Sequence, residues 1–120
     1  HAIKKADLVL LGADAITTTK VFNKVGSELF AKEACDRDIP VLCCTDSWKV
    51  DPQSVYGFLE EIEERHRKEV WPDAPENVTI HNYAFDMINP KYITGIVAEL
   101  GVYEHSSFIE EVRKSFDFLF

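Results

Sequence analysis

The stretch LVLLGADAITTTKVFNKVGSELFAKEACDRDIPVLCCT, residues 8–45, decides the fold class. It begins and ends with short, uninterrupted apolar runs, DLVLLG (7–12) and PVLCCT (40–45), which are typical of strands buried on both faces. Between these runs, apolar residues at helical spacing predict a helix over about 25–37. Strand, helix and strand in this order predict a right-handed crossover and a parallel sheet.

Similar patterns continue to the end of the chain. They predict a weaker strand over 77–82, a helix after Asp51-Pro52, a helix from Asn89-Pro90 to Gly101, and a last helix that opens on a Ser107-x-x-Glu110 capping box. The alternation indicates an α/β fold: a Rossmann-like three-layer domain with a mostly parallel sheet covered by helices on both faces. At 120 residues, the chain is expected to form one domain, 1–120.

Composition restricts the class of partner. The formal net charge of −8 disfavours direct nucleic-acid binding and attraction to anionic membranes, although a small phosphorylated ligand remains compatible with it. No apolar stretch is long enough to span a bilayer. The three cysteines, Cys35, Cys43 and Cys44, show no metal-ligand spacing and are odd in number, so we expect reduced thiols and a cytoplasmic location.

Polar residues follow the predicted strands, where open parallel sheets usually bind ligands. They are Asp14, Asp46 and Asn82. The segment FNKVGS (22–27) lies where the first helix begins, and free backbone N–H groups there favour an anion.

Within that segment, Gly26 would let the backbone approach a phosphate, and Lys24 would add a positive charge. Lys49 lies in the next loop on the same edge. Each residue also has a simpler interpretation: Asp14 as a turn residue, Asn23 as a helix N-cap and Lys49 as a solvated lysine. Their convergence on one edge favours a ligand site. The spacing G-x-G-x-x-G is absent, and no metal-binding constellation is visible.

These segments resemble one protein family. LLGADAI, NKVGS, PVLCCTDSWKVDP, FDMINPKYITGIVAELG and FIEEVRKSF occur in the family's order, and the resemblance covers 8–116. The family comprises the alpha, beta and delta regulatory subunits of translation initiation factor 2B, methylthioribose-1-phosphate isomerase and archaeal ribose-1,5-bisphosphate isomerase. The segment EEIEERHRKEV (60–70) resembles the archaeal isomerases in particular.

The resemblance implies the C-terminal Rossmann-like half of a longer protein, whose N-terminal helical part is absent here. In the isomerase members, the aspartate of the G-A-D motif acts with a cysteine, and an Asn-Lys pair contacts the phosphorylated sugar. Asp14 occupies the aspartate position, and Asn23 and Lys24 occupy the pair. The family's cysteine lies upstream, so we expect this fragment alone to be inactive. No metal or organic cofactor is implied.

Some residues depart from the family pattern. The loop between Asp14 and Asn23 is one residue shorter than the usual loop of the family. Three residues also differ from the usual family residues: Ser27 replaces threonine, Asp46 replaces glutamate and Trp48 replaces tyrosine.

Two functions are therefore weighed for the parent protein: isomerisation of ribose 1,5-bisphosphate to ribulose 1,5-bisphosphate, or a non-catalytic regulatory role. A regulatory subunit would bind a sugar phosphate or nucleotide and have initiation factor 2 as a partner. In either case the resemblance implies a homodimer or larger assembly through this domain, with FDFLF (116–120) near the contact.

Overall fold

Two β-sheets form the frame of the protein in a computed structural model that describes residues 1–58 and 61–120. The strands of this described part are β1 (Val9–Leu11), β2 (Ala15–Ile16), β3 (Val21–Lys24), β4 (Val41–Cys44), β5 (Phe85–Ile88), β6 (Gly95–Ala98) and β7 (Gly101–Tyr103). Its α-helices are α1 (Ser27–Cys35) and α2 (His105–Ser115).

The larger sheet has the strand order β1-β4-β6-β7. β1 pairs with β4 and β4 pairs with β6 in parallel, whereas β7 pairs with β6 in the antiparallel direction. The two apolar runs of the opening stretch are the neighbouring parallel strands β1 and β4, and α1 lies between them in sequence. The prediction of an α/β fold with a mostly parallel sheet is confirmed.

Both described α-helices pack on the same face of this sheet, and not on its two faces as the sequence predicted. Ala31 and Ala34 of α1 share one buried cluster with Phe108 of α2 and with Cys43 and Ile96 of the sheet. Leu10 and Val102 belong to the opposite face by alternation along their strands, and they are 60% and 66% exposed.

The smaller sheet was not predicted. It is antiparallel, with the order β2-β3-β5. β2 and β3 form a hairpin whose turn is closed by the Thr17 N–H, which donates to the Lys20 carbonyl at 2.9 Å. The Thr17 hydroxyl oxygen also accepts the Lys20 N–H at 3.0 Å. A threonine side chain therefore supports this short loop without an Asn-Gly turn.

Two predicted helices are wrong. After Asp51, a 3-10 helix covers only Pro52–Tyr56, and Gly57 ends it with φ +85°. After Asn89, a 3-10 helix covers Pro90–Tyr92, and the chain then forms β6 and β7. In both places the residue before the proline caps the short turn, because the Asp51 and Asn89 side chains accept the N–H of the residue two positions on. Residues 59 and 60, part of the first predicted helix, lie outside the described residues.

Two further boundaries differ from the prediction. Residues 77–82 do not form a strand, and the strand of this region is β5, which starts three residues later at Phe85. The last helix is confirmed, but it begins at His105, so Ser107 lies inside it and the predicted capping box does not form. Across the two described ranges, no helix has the length and apolarity needed to cross a membrane.

His105 joins α2 to the hairpin, because its Nε2 lies 2.8 Å from the Thr17 carbonyl oxygen. Burial lowers the pKa of His105, and the bond to Thr17 offsets this effect only in part. The folded chain therefore binds fewer protons than the unfolded chain once the pH falls below about 6.5. We expect the free energy of unfolding to decrease as the pH is lowered from about 7.5 to about 5.5.

Urea denaturation at a series of pH values measures this effect. His105→Gln, whose amide keeps an N–H donor without a titrating group, is expected to show a smaller decrease. Equal pH dependence in the two proteins would contradict the assignment.

Candidate functional site

Asp14 lies at the junction of the two sheets. It follows β1 and immediately precedes β2, and its backbone N–H donates to the Phe22 carbonyl at 2.7 Å. Ala15 pairs with Phe22 across the hairpin, so Asp14 lies beside Asn23 along the backbone. This contact uses only the main chain of Asp14, and the residue is exposed.

A cavity of about 440 Å³ opens next to Asp14. Its size falls in the range typical of small-molecule sites. Lys49 lines the same cavity, and so the structure brings these two predicted residues together. The other residues along its walls are Ala15, Trp48, Val50, Asp51, Gln53 and Phe58. The cavity therefore combines an ammonium group, two carboxylates and aromatic surface.

The Asn23-Lys24 pair ends β3, next to Asp14. The Asn23 amide donates from Nδ2 to the Ser27 hydroxyl at 3.0 Å, and that hydroxyl donates to the Lys24 carbonyl at 2.6 Å. Asn23 therefore supports the turn into α1, although Gly26 and not Asn23 is the N-cap residue. Lys24 is exposed.

Gly26 adopts φ +100°, a left-handed conformation that favours glycine. Its N–H donates to Asp86 Oδ2 at 2.8 Å, and the Glu28 N–H donates to the same oxygen at 3.1 Å. A carboxylate of β5 thus occupies the start of α1, where the sequence predicted an external anion. The sequence analysis did not identify Asp86, although its carboxylate contacts the predicted residue Gly26. The signal for it was a lone carboxylate inside the apolar strand FDMI (85–88).

The loop that carries Lys49 is held by two carboxylates. Asp46 Oδ1 accepts the Trp48 N–H at 3.0 Å, so Asp46 caps the turn. Glu99, which follows β6, accepts hydrogen bonds from both the backbone N–H and the hydroxyl of buried Ser47. These hydrogen bonds, the hydroxyl bond foremost, hold the pKa of Glu99 below its usual range. Lys49 thus projects from an ordered turn.

Asn82 lies away from this edge, because its amide donates to the His66 carbonyl at 3.1 Å in the segment before β5.

The cysteine and metal-ligand chemistry of the described residues is limited. Burial raises the pKa of Cys43 to about 12, and the neighbouring Cys44 contributes a smaller part of this increase, so the Cys43 thiol stays protonated and unreactive at neutral pH. Within the residues that the structure describes, no three His, Cys, Asp or Glu side chains come together as a metal site.

A second, larger cavity of about 1110 Å³ lies along β3 and β5. Phe22, Val25, Phe85 and Met87 give it a largely apolar lining. Asp14 and Lys49 line the smaller cavity instead, which therefore has the groups needed for acid–base chemistry on a charged ligand.

Known proteins similar to this chain include both isomerases and translation factors. The chain is 34% identical to ribose 1,5-bisphosphate isomerase of Thermococcus kodakarensis, over 97% of this chain and 38% of that protein. It is 35% identical to methylthioribose-1-phosphate isomerase of Pelotomaculum thermopropionicum, over 92% of this chain and 32% of that protein.

Among solved structures, the translation initiation factor eIF-2B, subunit delta, from A. fulgidus matches with a TM-score of 0.77 and 30% identity. This match covers 94% of the present chain and 36% of that one. The chain thus spans about a third of the length of these proteins. Residues 1–105 match the initiation factor 2 subunit family, and the chain belongs to that family.

Proposed function

We propose that this chain is the C-terminal, Rossmann-like part of a sugar-1-phosphate aldose–ketose isomerase that converts ribose 1,5-bisphosphate to ribulose 1,5-bisphosphate. The observation that carries the proposal is the position of Asp14, beside Asn23 and on the wall of the cavity that Lys49 also lines. The identity to ribose 1,5-bisphosphate isomerases, over nearly the whole chain, supports this substrate class.

In this proposal Asp14 is the acid–base residue. Opening the sugar ring requires a proton on the ring oxygen. Forming the ketone then requires the hydrogen on C2 to move to C1 while the C2 hydroxyl loses its proton. Asp14 performs one of these transfers, and a cysteine outside this chain performs the other. Asp14 suits the role because it is exposed at the cavity wall, where a substrate can reach it.

The phosphate groups are held by lysines. Lys24 and Lys49 are both exposed: Lys49 lines the cavity beside Asp14, and Lys24 ends β3 next to Asn23, whose amide adds a polar contact. Gly26 contributes the left-handed turn that brings this segment to the site, while its own N–H is engaged by Asp86. Anchoring both ends of the sugar would align its reacting carbons with Asp14.

Two measurements test the proposal. Titration of the 120-residue chain with ribose 1,5-bisphosphate, followed by ¹H–¹⁵N correlation spectra, is expected to shift the resonances of Asp14, Asn23, Lys24 and Lys49. Turnover assays on the complete polypeptide that carries this chain are expected to yield ribulose 1,5-bisphosphate. A well-folded complete protein that forms no ketose would end the isomerase proposal.

A regulatory function is the second candidate, and the likeness to the eIF-2B delta subunit favours it. A regulatory subunit would bind a sugar phosphate or nucleotide at the same edge without turnover, and would associate with initiation factor 2. Binding without turnover, together with co-purification of initiation factor 2, would select this candidate over the enzyme.

We further propose that the chain forms a homodimer or larger assembly near its C-terminus. Phe118 is 73% exposed and Trp48 is 69% exposed, and Phe116 contacts both rings. Exposed aromatic clusters of this kind often mark protein contacts. Light scattering at increasing concentration is expected to give at least twice the monomer mass, and Phe118→Ser is expected to lower it. A monomeric mass at high concentration would contradict this expectation.

A further inference from the structure

We propose that Asp86 is a positioning residue: it holds the turn from Asn23 to Gly26 so that Asn23 and Lys24 face the phosphorylated sugar. This inference rests on the proposed function and adds a residue to it. It starts from the two hydrogen bonds to Asp86 Oδ2, from the N–H of Gly26 at 2.8 Å and from the N–H of Glu28 at 3.1 Å.

The start of α1 depends on Asp86 because it has no side-chain cap of its own. Its N-cap residue is Gly26, which has no side chain to accept the first free N–H groups of the helix. Asp86 reaches in from β5, and its carboxylate takes two of these donors at once. The negative charge is also favourable at the positive end of the helix dipole.

The same carboxylate is coupled to Asn23. Asn23 and Asp86 are paired residues on neighbouring strands, so their side chains lie on the same face of the smaller sheet. Ser27 then links the helix start to both predicted ligands, since its hydroxyl accepts from Asn23 and donates to the Lys24 carbonyl. Releasing the helix start therefore releases the groups that orient Asn23 and Lys24.

This arrangement also decides how an anion is bound. Because Asp86 already occupies the N–H groups of Gly26 and Glu28, a phosphate contacts the lysine ammonium groups and not the helix start. Asp86 thus sets the geometry of the site without touching the substrate.

The test compares Asp86→Ala and Asp86→Asn with Asn89→Ala. Asn89 follows the same strand and caps a short turn through one bond to the Lys91 N–H, so its loss is a matched local perturbation away from the site. Two quantities are measured in the 120-residue chain: the hydrogen-exchange rates of the Gly26 and Glu28 amides, and the affinity for ribose 1,5-bisphosphate. Inorganic phosphate is titrated in parallel.

Asp86→Ala is expected to accelerate hydrogen exchange at both amides by about tenfold or more. It is also expected to weaken ribose 1,5-bisphosphate binding by about tenfold, which corresponds to a loss of about 1.4 kcal/mol of binding free energy. Asp86→Asn, which keeps one acceptor oxygen, is expected to be intermediate. Asn89→Ala is expected to bind as tightly as the unaltered chain.

Unchanged sugar-phosphate affinity in Asp86→Ala would overturn the proposal. So would a gain in affinity for inorganic phosphate with shifts at Gly26 and Glu28, because Asp86 would then be a competitor of the anion. If the unaltered chain does not bind ribose 1,5-bisphosphate, the ligand assignment fails separately. The hydrogen-exchange rates of the Gly26 and Glu28 amides then test the positioning role alone. Faster exchange in Asp86→Ala together with a shifted Asn23 side-chain signal supports this role, and unchanged exchange overturns it.

Discussion

Asp14→Asn is expected to lower kcat for ribose 1,5-bisphosphate isomerisation by about 10²–10⁴-fold in the complete polypeptide, the usual contribution of a general acid or base. Asparagine has nearly the same size as aspartate, and the backbone N–H of residue 14 can still donate to Phe22, so the hairpin should keep its geometry. The amide cannot transfer a proton at neutral pH. The loss should therefore appear in kcat more than in KM.

The matched control for this substitution is Asp36→Asn, which changes an exposed aspartate at the opposite end of α1. It is expected to leave kcat within about threefold, since surface changes away from a site have small effects. A comparable loss in both variants would point to net charge as the cause. Retention of full kcat by Asp14→Asn would remove Asp14 from the mechanism.

The parallel strands β1 and β4 were predictable because each is a short apolar run with no competing interpretation. The N-cap of α2 was predicted three residues too late, at Ser107 instead of Glu104. The segment 93–100 was assigned to a helix because its apolar residues fit a period of 3.6. Its Ile, Val and Thr residues fit a strand equally well, and periodicity alone does not separate the two over such a short length.

Glycine caused the second error in this region. Gly101 was interpreted as the end of a helix, but with φ +128° it is the first residue of β7, directly after the two-residue turn from β6. Left-handed glycines serve both purposes. Gly101 follows a strand and not a helix because residues 95–98 pair with β4, which lies about fifty residues earlier in the chain.

In the candidate site, too, residues marked by their neighbours in sequence were predictable, and a contact between distant residues was not. Asp14, Asn23, Lys24, Gly26 and Lys49 were all identified as candidates because local patterns place them after strands or before a helix. Asp86 acts on Gly26 from sixty positions away. Nothing in the sequence around α1 indicates that its start is capped by another strand, so only the register between β3 and β5 reveals this contact.

Phe108→Ala is expected to destabilise the chain by about 3–5 kcal/mol, the largest effect among single core truncations. Phe108 is fully buried and lies where α2 meets the sheet. Its removal leaves a cavity in the buried cluster that Phe108 shares with Ile96 of β6 and Val112 of α2. Since small domains are commonly only about 5–15 kcal/mol stable, much of the population would lose its ordered core.

Urea denaturation followed by far-ultraviolet circular dichroism measures this loss as a lower midpoint with a similar slope. Phe30→Ala is the control, because Phe30 lies on α1 with 54% of its surface exposed, and the same truncation there removes little buried area. We expect Phe30→Ala to lower the free energy of unfolding by less than about 1 kcal/mol. If both variants unfold at the same midpoint, the buried cluster around Phe108 does not hold α2 on the sheet.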